Sequence, residues 1–465
     1  MFWIGLHFPH LPLEALLRGH DPSRWRDRPW AVIENRSTLA CNAAAKASGV
    51  TPGLSLAAAR AIAPALRTVS RNRRAEQETL EGIAAWLGRF TPRVSLEAPQ
   101  QLAAEMAGSL RLFGGLRQLE RRLCSGLEAL GFTVQLAFAP TARAALWRAA
   151  GGAAELDDLP VEVTGADPGI LRLLRNLGVS TLGELLQLPR NGAARRFGQG
   201  LIDDLDRALG RIPDPRSAFV PPSRFSARLE LPAQVAEAAG VLFAARRLLV
   251  QLEGALIARQ SGIRGFVLSL AHCGAPTTRL AVPFSRASRD ATHFAALLRE
   301  HLSRLELAAP VESIRLEAAG FEPLHASTTG LFHDARDTGE GWTRLVERLS
   351  ARLGEKAIQG LAIRAEHRPE LASRAVALEC LPGSGANSPP VDPAPEQRPL
   401  WLLETPRRLA EDEFVLLAGP ERIESGWWDG GEVRRDYFIA RTGDSSLVWI
   451  FRECERGWFL HGIFA

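Results

Sequence analysis

Trp3-Ile4-Gly5-Leu6-His7-Phe8 is a short apolar run closed by Pro9, and it reads as a strand that begins a sheet. The second informative stretch is Ala40-Cys41-Asn42-Ala43-Ala44-Ala45-Lys46-Ala47-Ser48-Gly49-Val50. Around them, strands are expected at Phe2–Phe8, Trp30–Glu34, Arg93–Glu97 and Thr133–Phe138. Helices are expected at Ser55–Ile62, Glu76–Arg89, Gly115–Leu130 and Ala142–Ala150. This mixed order predicts helices layered on a largely antiparallel sheet, an α+β arrangement.

The texture changes near Val161. Leu171–Leu177, Thr181–Leu188 and Leu201–Leu209 read as short amphipathic helices joined by glycine turns, and Pro213, Pro215, Pro221 and Pro222 mark a linker. From Phe225 to about Leu324 an α+β order returns. It comprises a helix at Val235–Arg259, strands at Arg264–Ala271 and Thr277–Val282, a helix at Asp290–Arg304 and a strand at Ser313–Ala319. Ser384-Gly385-Ala386-Asn387-Ser388-Pro389-Pro390, with Pro393 and Pro395, reads as a flexible connector to an aromatic-rich β module.

A chain of 465 residues is long enough for several domains. No apolar run reaches the length of a membrane span, and no secretory signal is read at the N-terminus, so a cytoplasmic protein is expected. Cys41, Cys124, Cys273, Cys380 and Cys454 show no CxxC spacing and are expected to be reduced, buried thiols. The net charge of +4 rests almost wholly on arginine, with Lys46 and Lys356 the only lysines. Arginine suits phosphate, although a codon bias explains the same ratio. There is no GxxxxGK[ST], HExxH or GxSxG motif. His7 and His10 are separated by the strand-breaking Pro9, which argues against a metal pair.

The two N-terminal stretches resemble the opening of the Y-family (translesion) DNA polymerases. The resemblance implies a multidomain α+β fold: palm and fingers over residues 1–160 (fingers about 24–75), a helix–hairpin–helix thumb at 161–222 and an α+β little finger at 223–325. A clamp-motif and connector region at 326–380, a flexible linker at 381–399 and a β-rich interaction module at 400–465 would follow. In that family an aspartate on the first strand and two acids from a Ser-x-Asp-Glu-Ala-Tyr-Leu-Asp hairpin hold two magnesium ions. The best matches here are Gly5 and, within Ala98-Pro99-Gln100-Gln101-Leu102-Ala103-Ala104-Glu105, the pair Gln100 and Gln101. All three are neutral, and magnesium wants charged oxygen ligands. The family's Asn-Tyr-x-x-Arg run in the fingers is matched by Asn42-Ala43-Ala44-Ala45-Lys46, which keeps a charge and loses the ring. The resemblance therefore implies no catalytic residues, no metal and no cofactor. A low-activity polymerase using Glu97 and Glu105 as substitute ligands is the alternative, with Glu97 otherwise an ordinary solvent-facing residue at a strand end.

Leu174-Arg175-Asn176-Leu177-Gly178-Val179-Ser180-Thr181-Leu182-Gly183-Glu184-Leu185 has the form of a helix–hairpin–helix. Gly178, Val179, Thr181 and Gly183 would present backbone N–H groups to a phosphate. Arg195-Arg196-Phe197-Gly198 opens a second, similar turn. In the little-finger segment Arg246, Arg247, Arg259, Arg264, Arg279, Arg286 and Arg289 supply charge, Arg264 and Arg279 from strands. Each is also readable as part of a solvated face. Ser327-Thr328-Thr329-Gly330-Leu331-Phe332 resembles a degenerate sliding-clamp peptide, with Thr328 where glutamine is usual; Leu331 and Phe332 packing on the little finger is equally open. The aromatics Trp427, Trp428, Trp449, Trp458 and Phe459 are candidates for a partner site.

That ending, with Glu366-His367-Arg368-Pro369-Glu370 upstream, is similar to the ImuB-type branch of the Y family, homologues without the metal ligands. The resemblance implies a non-catalytic DNA-binding adaptor of a damage-induced (SOS) mutagenesis complex. Its partners would be primer–template DNA, the sliding clamp, the RecA-like accessory protein ImuA and an error-prone C-family DNA polymerase. A stand-alone DNA-structure-binding protein remains a third reading.

Overall fold

The computed structural model describes residues 2–19, 25–152, 155–324, 335–377, 398–399, 401–453 and 456–464. They form two compact units, Met1–Arg352 and Leu353–Ala465.

The first unit begins with β1 (Trp3–His7), α1 (Leu11–Leu17), β2 (Trp30–Glu34), β3 (Ser37–Cys41), α2 (Ala43–Ala47), α3 (Leu56–Ile62) and β4 (Arg67–Ser70). Then come α4 (Arg73–Leu87), β5 (Val94–Glu97), β6 (Gln101–Glu105), α5 (Leu116–Ala129), β7 (Gln135–Ala139) and α6 (Ala142–Gly151). The palm-like sheet has the order β5-β6-β1-β7, with β1 antiparallel to both neighbours. Strand alternation sends Ile4 and Leu6 into a core shared with Leu80, Ile83 and Leu87 of α4 and Leu119, Leu123 and Leu127 of α5. Gly5 points to the other face, where α6 lies. A Cβ there would sit 2.3 Å from the carbonyl carbon and oxygen of Ala145, so only glycine lets helix and strand meet. A smaller sheet, β3-β2-β4, carries α2 and α3. Its hub is buried Asn42, whose Oδ1 accepts from the N–H groups of Trp30 and Ala45 while its Nδ2 donates to the Trp25 and Arg28 carbonyls.

Four helices follow: α7 (Pro168–Asn176), α8 (Leu182–Gln187), α9 (Arg190–Phe197) and α10 (Gln199–Leu209). They join the palm through α6, where Thr141 Oγ1 donates to the Ala208 carbonyl (2.7 Å) and Arg143 pairs with Asp204 (3.1 Å). The proline-rich linker is anchored. Phe219 N–H donates to the Val94 carbonyl (2.6 Å), and buried Arg216 is paired with both Asp214 and Glu97.

The next elements are β8 (Phe225–Val235), α11 (Ala238–Ala258), β9 (Ser261–His272), β10 (Ala275–Ser288), α12 (Ala291–Ser303), β11 (Val311–Ala318), β12 (Glu322–Pro323) and α13 (Ala335–Leu353). Their sheet has the order β10-β9-β11-β8, with β12 paired to β9. Strand β8 escaped the sequence reading. Its inward residues Phe225, Ala227, Leu229 and Leu231 alternate, but Pro232 obscures the pattern, and an edge strand tolerates that proline. Helix α11 packs on this sheet and also on α4. Gly254 faces Trp86 so closely that a Cβ would lie 2.3 Å from the ring.

In the second unit β13 (Gln359–Ile363) pairs with β14 (Ser373–Ala377). A five-stranded antiparallel sheet follows: β15 (Trp401–Leu409), β16 (Phe414–Ser425), β17 (Val433–Thr442), β18 (Leu447–Glu453) and β19 (Gly457–Ile463), in the order β15-β19-β18-β17-β16. Cys41 is buried as expected, but Cys124 and Cys273 are exposed because they fall on outward positions; Cys380 and Cys454 lie outside the described residues.

Glu14 on α1 is buried, and both its carboxylate oxygens accept from the Thr133 N–H (3.0 and 3.1 Å). Burial pushes its carboxyl up to about 7, against the opposing pull of that N–H and of Arg26 and Arg18. A folded value above the unfolded one gives stability that is complete below the usual carboxylate range and is lost as pH rises through about 7. Glu14→Gln should therefore raise the melting temperature at pH 8 by roughly 4 °C, about 2 kcal/mol, and leave it nearly unchanged at pH 4. Differential scanning calorimetry at the two pH values checks this.

Candidate nucleic-acid interface

Across the palm sheet, Gln101 lies opposite His7, while Gly5 lies opposite Ala103. Two residues along a strand are about 7 Å, so the β1 side chain that can converge with Gln101 is that of His7. The expected match at Gly5 is corrected accordingly: that position is roofed by α6 and has no room for any ligand side chain. The Phe8 N–H donates to the Gln100 carbonyl (2.9 Å), bringing Gln100 beside the end of β1. Gln101 Nε2 donates to the Leu146 carbonyl (3.1 Å). His7 and His10 are held below the usual imidazole range, first by burial, then by the charge of His10 on His7 and of Lys46 on His10. An imidazole, two amides and a lysine do not fit a two-magnesium centre, which needs charged oxygen ligands.

The substitute ligands do not assemble. Glu97 stands at the end of β5 opposite Gln101, and Glu105 at the far end of β6 opposite Trp3. Four residues of strand separate the two ends of β6, about 13 Å, against ~4 Å between paired metals. Glu97 is not a solvent-facing residue either. It pairs with Arg216 and accepts from Ser95 Oγ (2.8 Å), while Glu105 accepts from the Ala107 N–H (3.0 Å). Among the described residues no group of three or more His, Cys, Asp or Glu is placed to hold a metal ion.

In the first thumb hairpin, Gly178 has the left-handed φ of +79° that the turn needs. Its donors, however, are already used. Gly178 and Val179 N–H donate to the carbonyls of Arg175 and Leu174, Leu182 and Gly183 N–H to those of Leu159 and Asp157. Ser180 and Thr181 N–H donate to the Glu184 carboxylate, closing a capping box that holds this acid below its usual range. Val179 is in the core, and a Cβ at Gly183 would lie 3.1 Å from Asp157, a tight approach. The four residues expected at phosphate thus build the hairpin and leave it no free donor.

The second hairpin is different. Gly198 (φ +92°) starts α10, and the first-turn N–H groups of Gln199, Gly200 and Leu201 meet no acceptor among the described residues. A Cβ at Gly198 or Gly200 would meet open space. Arg195 and Arg196 are exposed on the last turn of α9 and make no ion pair or hydrogen bond among the described residues. A helix start with free donors beside two free guanidinium groups is arranged to receive a phosphate.

On the little-finger sheet a groove of about 550 Å³ is lined by Arg224, Arg264, Arg279, Ser226 and Glu317 among others. Arg279 is exposed and has no partner among the described residues, whereas Arg264 is held by Glu322 (2.7 Å). Arg247 and Arg259 are not surface charges. The first is buried over the Phe243 ring, and the second donates to the Pro221 and Pro222 carbonyls.

In the second unit the aromatic set divides. Trp449 and Trp458 are core residues, only 2% and 9% exposed, and Phe459 is partly buried, stacked on Phe451. Trp427 and Trp428 are 76% and 58% exposed, their rings nearly perpendicular with centroids 5.4 Å apart. Arg368 fixes their turn from beneath. It bonds Asp429 (3.1 and 2.6 Å), the Gly431 carbonyl (3.2 Å) and Glu366 (2.8 Å), and its guanidinium lies 6.0 Å from the Trp428 ring centre. Those bonds hold Glu366 well below the usual carboxylate range and lower Asp429 as well. Thr328, Gly330, Leu331 and Phe332 lie outside the described residues.

A family model described as impB/mucB/samB matches residues 13–147. Protein ImuB of Caulobacter vibrioides, strain NA1000 / CB15N, is 26% identical over 470 residues, covering 90% of this chain and 100% of that protein. The same figures hold for Protein ImuB of strain ATCC 19089 / CIP 103742 / CB 15. The chain is an ImuB-type Y-family homologue. Among solved structures, a Dbh ternary complex aligns with a TM-score of 0.40 at 17% identity, over 69% of this chain and 99% of that one. DinB from Sulfolobus solfataricus aligns at 0.39 and 17%, over 70% and 100%.

In this ImuB-type chain the residues that sequence reasoning missed are His7, Arg216 and Arg368. Only Arg368 left a signal, standing within the Glu366–Glu370 stretch; the others depend on strand register and on a linker folding back. If His7 is the converging position, His7→Asp/Gln100→Asp/Gln101→Glu should bind Mn²⁺ at least tenfold more tightly than the parent chain in isothermal titration. Gly5→Asp in place of His7→Asp should give no such site. Gly5→Ala alone should cost ~3 kcal/mol or more, read as a lower melting temperature.

Proposed function

We propose that the chain is a non-catalytic, DNA-binding adaptor that serves translesion synthesis in a bacterial damage-induced mutagenesis complex. The observation that carries this reading is the split between two sites of one body. The palm position where carboxylates would converge holds His7, Gln100 and Gln101, with Glu97 taken by Arg216. The thumb hairpin at Gly198 keeps its free donors and its free Arg195 and Arg196. DNA would be held through its backbone, at the Gly198 hairpin and along the arginine-lined sheet of the little finger, without sequence readout. Synthesis would fall to an error-prone C-family polymerase, brought together with the RecA-like accessory protein ImuA and the sliding clamp. The clamp would take the segment ending in Leu331-Phe332, and the Trp427–Trp428 turn would meet a protein partner. Such a complex would work in the cytoplasm, and among the described residues no helix is long and apolar enough to cross a membrane.

The decisive experiment pairs fluorescence anisotropy on a primer–template duplex with primer extension in Mg²⁺ and Mn²⁺, on one preparation of the full chain. Binding without extension is expected, and extension that survives stringent purification would overturn the reading in favour of a low-activity polymerase. Arg195→Ala/Arg196→Ala should weaken binding about tenfold at ~0.1 M salt and flatten the log–log salt dependence by about 1–2.

Trp427→Ala/Trp428→Ala should lower affinity for ImuA or for the C-family polymerase at least tenfold in surface plasmon resonance, leaving DNA binding intact, because tryptophan is enriched among the residues that carry most of an interface's binding energy. Unchanged affinity for both proteins would remove the turn from the partner site.

A further inference from the structure

Helix α13 docks on the first unit by its polar side. Glu347 is buried, its carboxylate accepting from the Ser285 N–H (2.7 Å) and pairing with His293 Nε2 (2.9 Å). Arg344 pairs with Asp290 (3.2 Å), Arg348 with Glu300 (3.7 Å), and Arg304 donates to the Ala351 carbonyl (3.3 Å). The opposite face is apolar and turned outward. Trp342, Leu345 and Leu349 are 64%, 46% and 38% exposed, and their spacing of three and four places them on one ridge. An amphipathic helix normally buries this face. Here specific polar bonds hold the polar face inward, so the apolar ridge is presented by design of the docking.

Charge narrows what covers the ridge. Arg348 and Arg352 are exposed along one flank, and the sole acid between Gly341 and Leu353, Glu347, is committed inward. A second copy of α13 would therefore bring its own arginines and no carboxylate from this stretch. We infer that the ridge receives an amphipathic helix of a partner protein, with apolar residues at heptad spacing and acidic residues on the edge that meets Arg348 and Arg352. The apolar contact supplies affinity and the arginine flank supplies orientation. This site belongs to the first unit and does not depend on the adaptor reading or on the Trp427–Trp428 turn.

The test uses the full chain and a labelled peptide of three heptads with leucine at a and d and glutamate at e and g, which does not pair with itself at neutral pH. A matching peptide with lysine at e and g is the control. Fluorescence anisotropy should show at least tenfold tighter binding of the glutamate peptide, weakening as salt is raised. Leu345→Ala/Leu349→Ala should abolish that binding while lowering the melting temperature by only a few degrees, since both side chains are partly exposed and alanine keeps the helix. Arg348→Glu/Arg352→Glu should reverse the preference toward the lysine peptide. Equal binding of both peptides, binding of neither, or indifference to the leucine changes would overturn the inference. So would a dimer in sedimentation equilibrium, or co-sedimentation with phosphatidylglycerol vesicles, that the same leucine changes abolish.

Discussion

At Gly5 the backbone of α6 lies directly on the central strand of the palm sheet, and much of the first unit follows from that contact. A side chain there would strike the Ala145 carbonyl, so the helix would have to lift away. Helix α6 in turn carries the thumb, through Thr141 to the Ala208 carbonyl and Arg143 to Asp204. The same close packing recurs on the opposite face, where Gly254 of α11 meets Trp86 of α4 and ties the little-finger sheet to the palm helices. Sheet, thumb and little finger are thus held by backbone approaches that leave little slack.

Polar groups that could have served chemistry are spent on architecture. Glu97 neutralises Arg216 and fixes the linker, Glu184 caps α8, and the first thumb hairpin turns its amides inward. A carboxylate satisfied by a buried guanidinium is a poor ligand, because a metal would have to displace an ion pair already made. Among the described residues, groups left open at the surface include the start of α10 with Arg195 and Arg196, Arg279 on its strand, and the exposed aromatic turn.

The second unit shows the same economy on a smaller scale. Its five-stranded sheet needs Trp449, Trp458 and Tyr437 inside to make a core, whereas Arg368 reaches across to brace a turn that the core does not need. Bracing costs a buried charge, which is tolerable because Glu366 and Asp429 both answer it. A turn braced in this way loses little backbone freedom when a partner covers it.

By itself the sequence determined the elements that depend on local rules. The strand expected at Phe2–Phe8, the Gly178 and Gly198 turns and the neutral Gln100-Gln101 pair were legible, because period, turn chemistry and residue type are local properties. Only the tertiary structure decided which residues converge. It put His7 rather than Gly5 across from Gln101, gave Glu97 to Arg216, exposed Trp427 and Trp428 while burying Trp449, and left the second thumb hairpin open while closing the first. The physical reason is that strand register and the pairing of a donor with a remote acceptor are set by how distant segments pack, and no local pattern in the chain encodes either one.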